Sequence, residues 1–217
     1  MSVEHPTVHV NARRRYDASK RQEQSRHTHN VLLDTALARF NEHGYTATTI
    51  ESIAADADVS EATIYKAYGG KPGIVRALCL RALGGQGPIP AEQRSDALKA
   101  TEVDPRKVIE GWGRLTAEVA PRVAPILLLL RDAADGDAAA AALREELDKN
   151  RLARMTDNAR HLVDGGHLRH GVQLSHASDV LWTYSSPELF ELLVRKRHWS
   201  LRRYGRFVAD AIAAALL

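Results

Sequence analysis

The sequence predicts an all-α protein, with a three-helix N-terminal unit containing a helix-turn-helix and a larger helical domain behind it. Three observations carry that expectation. Apolar residues recur at i, i+3 and i+4 in one segment after another; no stretch alternates with the period of two that a strand requires; glycines and prolines punctuate the periodic segments.

The chain is basic before it is periodic. Asn11 to Asn30 holds Arg13, Arg14, Arg15, Lys20, Arg21 and Arg26 against Asp17 and Glu23, with His27 and His29 among them. Such a segment ahead of a first helix serves as an arm that follows phosphates or enters a minor groove; its plain alternative is a solvated tail. Val31 to Tyr45 then places Leu33, Ala36, Leu37 and Phe40 on one face, with Gly44 as its stop. Thr49 is a good N-cap for a short helix whose Ile50, Ile53 and Ala54 make one apolar face. Val59 is apolar where a turn is normally polar, Ser60 caps a second short helix, and Ile64 and Tyr68 face inward from it. Glu61, Thr63 and Lys66 are left to point outward. Gly69 and Gly70 end that helix, and Pro72 stands where the next one opens. Two short helices joined by a tight turn present the second as a rod that fits the major groove of B-DNA.

The order A-x-x-x-F-x-x-x-G-Y, T-T-I-x-x-I-A, V-S-x-A-T-I-Y-K-x-Y and a following lysine resembles the TetR family of bacterial regulators over roughly residues 25 to 80. The resemblance implies a basic arm at 1–25, a helix-turn-helix domain at 26–72 and a helical regulatory and dimerisation domain at 73–217. It also implies a sequence-specific homodimeric repressor that leaves a palindromic double-stranded DNA operator when a small-molecule effector binds. Two positions depart from the family pattern. Asp58 stands where the turn usually has glycine, and aspartate is among the few residues that tolerate positive φ. Ala67 replaces a larger hydrogen-bonding residue, which weakens base readout there.

The DNA-facing candidates follow. Thr49 offers a hydroxyl and a backbone N–H to a phosphate at a helix start, or is a cap alone. Thr63 reaches a thymine methyl or a base edge, and Lys66 a guanine or a phosphate. Tyr65 resembles the family's phosphate-contacting tyrosine, with core packing as its alternative. Lys71 resembles the family's phosphate-anchoring lysine. Glu61 complements the dipole of its own helix or accepts from a cytosine. Between Thr48 and Lys71 there are four acidic residues and two lysines, so attraction to DNA has to come from outside the motif; Arg14, Arg15, Lys20 and Arg21 of the arm are the candidates.

The remaining elements are read from capping and periodicity. Asp104-Pro105 opens a helix towards Ala120; Pro121 and Pro125 interrupt before Ile126 to Asp132 resumes. Asp137 starts a long helix to about Val163 with Leu143, Leu147, Leu152, Met155, Ala159 and Leu162 inward, closed by Gly165-Gly166. Helices at 174–184, 187–196 and 199 to the C-terminus follow, and by the resemblance the last two long segments, 174–196 and 199–216, form a dimer interface. Trp112, Met155, Trp182, Tyr184 and Phe190 are the pocket candidates, each with simple core packing as the alternative. Trp112 stands out because Gly111 and Gly113 flank it.

Composition bounds the rest. The 217 residues carry 30 Lys and Arg against 27 Asp and Glu, a net charge of +3. The single cysteine, Cys79, falls on an apolar face with Ile74, Val75 and Leu78, as a small buried hydrophobe rather than a redox sensor. The apolar run Ile126 to Leu130 is far short of the roughly 20 residues of a spanning helix. With no charged-then-apolar leader, the expectation is a cytoplasmic protein without membrane or cofactor. His161, His167, His170 and His176 near Asp157 and Asp164 raise the alternative of a metal-dependent enzyme, but no two of the histidines sit four apart in the manner of a metal-binding helix. The other alternative is a regulator answering to a protein partner, with a C-terminal half too densely packed to leave a cavity.

Overall fold

The computed structural model describes the backbone of residues 8–85, 87 and 89–217, and side chains from residue 20 onward within that range except Arg21. Ten α-helices and one π-helical turn make up the described residues, with no strand among them. The first, α1 (Val8–Ala47), is broken at Gly44, whose φ of 78° takes the backbone out of the helix. Thr48, buried behind that break, donates its hydroxyl to the Gly44 carbonyl at 2.8 Å, with the Arg39 carbonyl at 3.2 Å, so orphan carbonyls at the helix end find a donor. The basic segment expected as a separate arm is instead helical from Val8 and continuous with α1.

The motif helices follow their caps. α2 (Ile50–Asp56) starts in a capping box in which Ser52 N–H donates to Thr49 Oγ1 and Thr49 N–H to Ser52 Oγ. Asp58 takes φ 51° in the turn, and the Val59 N–H returns to the Ala54 carbonyl at 3.0 Å. α3 (Glu61–Tyr68) is capped by Ser60, and Gly69 closes it in the left-handed region. α4 (Lys71–Gly84) carries Pro72 in its first turn. Ile53, Ile64, Phe40 and Ile74 are buried together, and this core extends to Ile126, Leu130 and Leu143 of the C-terminal helices.

Behind it lie α5 (Ala91–Thr101), α6 (Pro105–Ala133), α7 (Ala138–Asp164), α8 (Leu174–Tyr184), α9 (Pro187–Phe190) and α10 (Leu201–Leu216). Four differences from expectation stand out. α6 runs unbroken through Pro121 and Pro125; its flanks are held by α4, α5, α7 and α10, and that packing outweighs the hydrogen bonds each proline removes. α5 has no counterpart in the periodicity. The expected helix at 187–196 is one α-turn followed by a wider π-helical turn, Glu191–Lys196, after which His198 takes φ 54°. Leu152, expected inward, is 39% exposed on α7.

α6 and α10 form the spine of the second core, which contains Ile109, Trp112, Tyr204, Val208 and Ile212. They cross closely at two glycines. A Cβ on Gly113 would stand 2.4 Å from the Gly205 carbonyl oxygen, and one on Gly205 2.8 Å from that of Gly113. The glycine after Trp112 therefore serves helix contact, and the one before it receives Leu98 of α5, whose Cδ2 a Cβ would meet at 2.2 Å. Neither opens a path for a ligand.

Candidate nucleic-acid interface and ligand cavity

Because Ile64 points into the core, the rest of α3 turns outward. Glu61, Thr63, Tyr65, Lys66 and Ala67 are all exposed, Tyr65 at 53%. That excludes core packing for Tyr65. Thr63 Oγ1 lies 2.8 Å from Ser60 Oγ and remains at the surface, while Lys66 makes no ion pair among the described residues. Thr49 is exposed at the start of α2, but its backbone N–H is taken by Ser52, which leaves the hydroxyl proton as what it can offer a phosphate.

Lys71 is placed differently from expectation. Its half-buried ammonium donates to the Tyr45 carbonyl at 3.0 Å and the Thr46 carbonyl at 3.5 Å, and lies 4.5 Å from the centre of the Tyr45 ring. An ammonium has three donors, so the side chain ties α4 to the end of α1 before it meets any phosphate. Tyr45 is itself buried, and burial pushes its phenol up to about 12. Tyr68 is held from the other side, its hydroxyl 2.7 Å from His29 Nδ1 with the two rings stacked. The basic stretch of α1 thus anchors the end of α3. Lys20 is exposed there; the side chains of Arg14, Arg15 and Arg21 lie outside the described residues.

A cavity of about 470 Å³ lies where the two cores meet, walled by α4, α5, α6, α7, α8 and α10. Of the five pocket candidates, Trp112 and Met155 line it. Trp182, Tyr184 and Phe190 do not. Trp182 lies under the Arg151 guanidinium at 4.5 Å and lines a shallow surface hollow instead. Tyr184 packs edge-on against Phe207, and Phe190 against Tyr204 in the core. Periodicity shows that an aromatic is inward, yet not which inward surface it joins.

The wall is mostly aliphatic, with Leu115, Val119, Val123 and Leu127 of α6 among its residues. Its arginines are paired with carboxylates. Arg76 of α4 grips Glu146 of α7 through two hydrogen bonds, at 2.9 and 2.6 Å; Arg154 bonds Asp96 at 2.8 Å, and Arg151 reaches Asp148 at 3.3 Å. Burial lowers the Arg151 pKa from its ordinary value, against the pull of Asp148. Cys79 also lines the space, and burial pushes its thiol up to about 12, which keeps it protonated and inert. A cavity of this size opposes the expectation of a densely packed C-terminal half. Among the described residues no three His, Cys, Asp or Glu side chains are grouped to hold a metal ion, and no helix is long and apolar enough to cross a membrane.

Residues 32–78 match the family model described as bacterial regulatory proteins, tetR family. An uncharacterized HTH-type transcriptional regulator of Bacillus subtilis (strain 168), YvkB, is 38% identical over 74 residues, which are 34% of this chain and 39% of that protein. Solved structures match nearly the whole chain at lower identity. NalD, described as the secondary repressor of the MexAB-OprM multidrug efflux pump in Pseudomonas aeruginosa, superposes with a TM-score of 0.71 at 18% identity, over 89% of this chain and 98% of that one. SmeT in its triclosan complex gives 0.67 at 23% identity, over 88% and 91%. FadR from Bacillus subtilis in complex with stearoyl-CoA gives 0.67 at 17%, over 86% and 98%. At these identities the structures establish a shared fold.

Proposed function

By its N-terminal domain the chain belongs to the TetR family of bacterial regulatory proteins, and from that premise we propose that it is a homodimeric DNA-binding repressor released from its operator by a small molecule. One observation carries this reading: α4 serves both sites. Its Ile74, Val75 and Leu78 are buried in the core of the DNA-reading unit, while Arg76, Leu80 and Leu83 line the cavity. A ligand that fits the cavity better with α4 in one tilt moves the head carrying α3. The shift it achieves is limited by its difference in affinity for the two arrangements. SmeT with triclosan and FadR with stearoyl-CoA support a ligand-bound state for this fold.

Thr63 and Lys66 are the base-edge and phosphate contacts in this reading, with Tyr65 and the Thr49 hydroxyl at the groove rim. Two heads must act together to read a palindrome. α8 and α10 pack on each other and leave Val180, Tyr184, Phe207, Ala211 and Ala215 half-buried along one surface, the natural seat for a second copy. The deeper face of α10 is used within the chain, against α6.

Selection from a random duplex pool with the purified protein tests this. The expected winner is a palindrome with half-sites about one or more helical turns apart, bound far more tightly than scrambled DNA at both low and moderate salt. Enrichment of no sequence, with weak binding abolished by salt, would remove the regulator reading.

A further inference from the structure

Resting on the ligand-release reading above, we infer that the cavity selects an uncharged, largely apolar molecule carrying one hydroxyl or carbonyl head, and that Ser95, Trp112 and Asn158 form the subsite for that head. The three residues are 6%, 5% and 5% exposed, and all line the cavity. In each, a polar side-chain atom is buried without a hydrogen-bond partner: Ser95 Oγ, Trp112 Nε1 and Asn158 Oδ1. Polar atoms so buried cost stability unless something pairs with them, and these three neutral groups, with Arg151 Nε as a fourth unpartnered atom of the lining among the described residues, form a hydrogen-bonding set for a guest or for water.

The helix register brings them to one end of the space. Arg154 bonds the Glu92 carbonyl and the Asp96 carboxylate, which sets α7 beside α5; Asn158 stands one turn further along α7, level with Ser95 and its successors. Leu98, one turn beyond Ser95, fills the notch at Gly111 next to Trp112. On this reading the three polar groups, one each from α5, α6 and α7, make the floor. The mouth is marked by the exposed Leu80, Glu92 and Asn150.

Their chemistry is neutral. An indole N–H only donates, a hydroxyl donates or accepts, and an amide presents either atom by rotation. Together they suit an oxygen that accepts from Trp112 and Ser95 and, in a hydroxyl, donates to Asn158. A carboxylate has no counter-ion at the floor. The wall's three arginines, Arg76, Arg151 and Arg154, already meet Glu146, Asp148 and Asp96, with Glu92 unpaired beside them. A charged head could take only the Arg151 Nε, which is buried without a partner among the described residues, and would leave the neutral groups of the floor unpaired; reaching any other arginine donor breaks an existing pair, at a desolvation cost that a neutral head avoids.

The test is calorimetric titration of the full chain with two matched series, biphenyl, 4-hydroxybiphenyl and biphenyl-4-carboxylate, then decane-sized analogues bearing hydroxyl, ketone or carboxylate. The neutral oxygenated member of a series is expected to bind at least tenfold more tightly than the bare hydrocarbon and the carboxylate. Ser95→Ala and Asn158→Leu should each erase most of that preference while leaving hydrocarbon binding intact. The same variants should raise the melting temperature of the ligand-free protein, because each removes a buried polar atom without a partner; a merely structural role predicts the opposite sign. Equal binding of all heads, or a carboxylate preference abolished by Arg151→Met, overturns the neutral subsite and leaves the ligand reading standing. Absence of binding by every member, with operator binding intact and insensitive to them all, overturns both.

Discussion

At the scale of single residues, two lysines of the same motif do different work. Lys66 is exposed and has no ion pair among the described residues, so Lys66→Ala is expected to leave urea unfolding unchanged and to lower the salt slope of operator binding by about one. Lys71 holds two carbonyls at the end of α1, and Lys71→Ala is expected to lower unfolding stability by about 1 kcal/mol, a discounted value for a half-exposed charged donor. Equal unfolding midpoints for the two variants would refute that division. Asp58 offers a further check on the turn. Its φ of 51° is a strained choice for a residue with a Cβ, so Asp58→Gly should change stability by no more than about 1 kcal/mol, relief of strain being offset by unfolded-state entropy. Removing that acidic charge from the motif should also strengthen DNA binding most at low salt. A tighter turn requirement would show as a large stabilisation. The caps Thr49 and Ser60, the stop at Gly69 and the inward Ile64 were all readable from residue type and spacing, because each satisfies a local rule. The internal use of Lys71 was not, since its partners lie 26 and 25 residues away.

At the scale of elements, the same contrast separates α3 from α5. α3 is bounded by a Ser cap and a left-handed glycine, and the sequence states both. α5 buries only Ala91 and Ser95, with Leu98 alongside, so it has no apolar stripe to betray it; Ser95, one of the three polar groups of the cavity floor, was hidden for that reason. α6 was read as two pieces because proline breaks an isolated helix, whereas here neighbours on several sides hold it together. α5 is fixed to α7 through Asp96, which accepts from Arg154 at 2.8 Å and Lys99 at 3.0 Å. These hydrogen bonds, the one from Arg154 first, bring its carboxyl from 3.8 down to about 2. A depressed carboxyl contributes its stability above the unfolded value and loses it as pH falls through the folded one. The melting-temperature difference between the wild type and Asp96→Asn is therefore expected to be constant at neutral pH and to close between pH 3.8 and about 2. A difference that persists below that window would show that Asp96 is not the anchor of α5.

At the scale of the whole molecule, the cavity and the reading helix communicate only if α4 has two stable positions. The contact that ties α4 to the cavity's far wall is the two-bonded pair of Arg76 and Glu146, 70 residues apart and joining α4 to α7. Both side chains are over 40% exposed, so the pair adds little to stability; what it supplies is a fixed distance between two helices that otherwise touch along a partly empty space. On the proposed function, ligand affinity and operator affinity are linked through the free-energy difference between α4 positions, and the linkage is reciprocal. Glu146→Gln keeps the shape of the side chain and removes the charge. It is expected to leave the melting temperature nearly unchanged and to leave the cavity floor and α3 intact. What should change is the ratio of operator affinities with and without a saturating ligand, by several-fold, matched by the same factor in ligand affinity with and without operator. Ala211→Arg separates this from assembly: it should yield a monomer in sedimentation that still binds ligand and has lost at least about a hundredfold in operator affinity, the avidity of the second head. A Glu146→Gln protein whose two ratios equal those of the wild type would mean that α4 is moved by the aliphatic wall of α6 alone, and that the pair is a surface contact without a part in release.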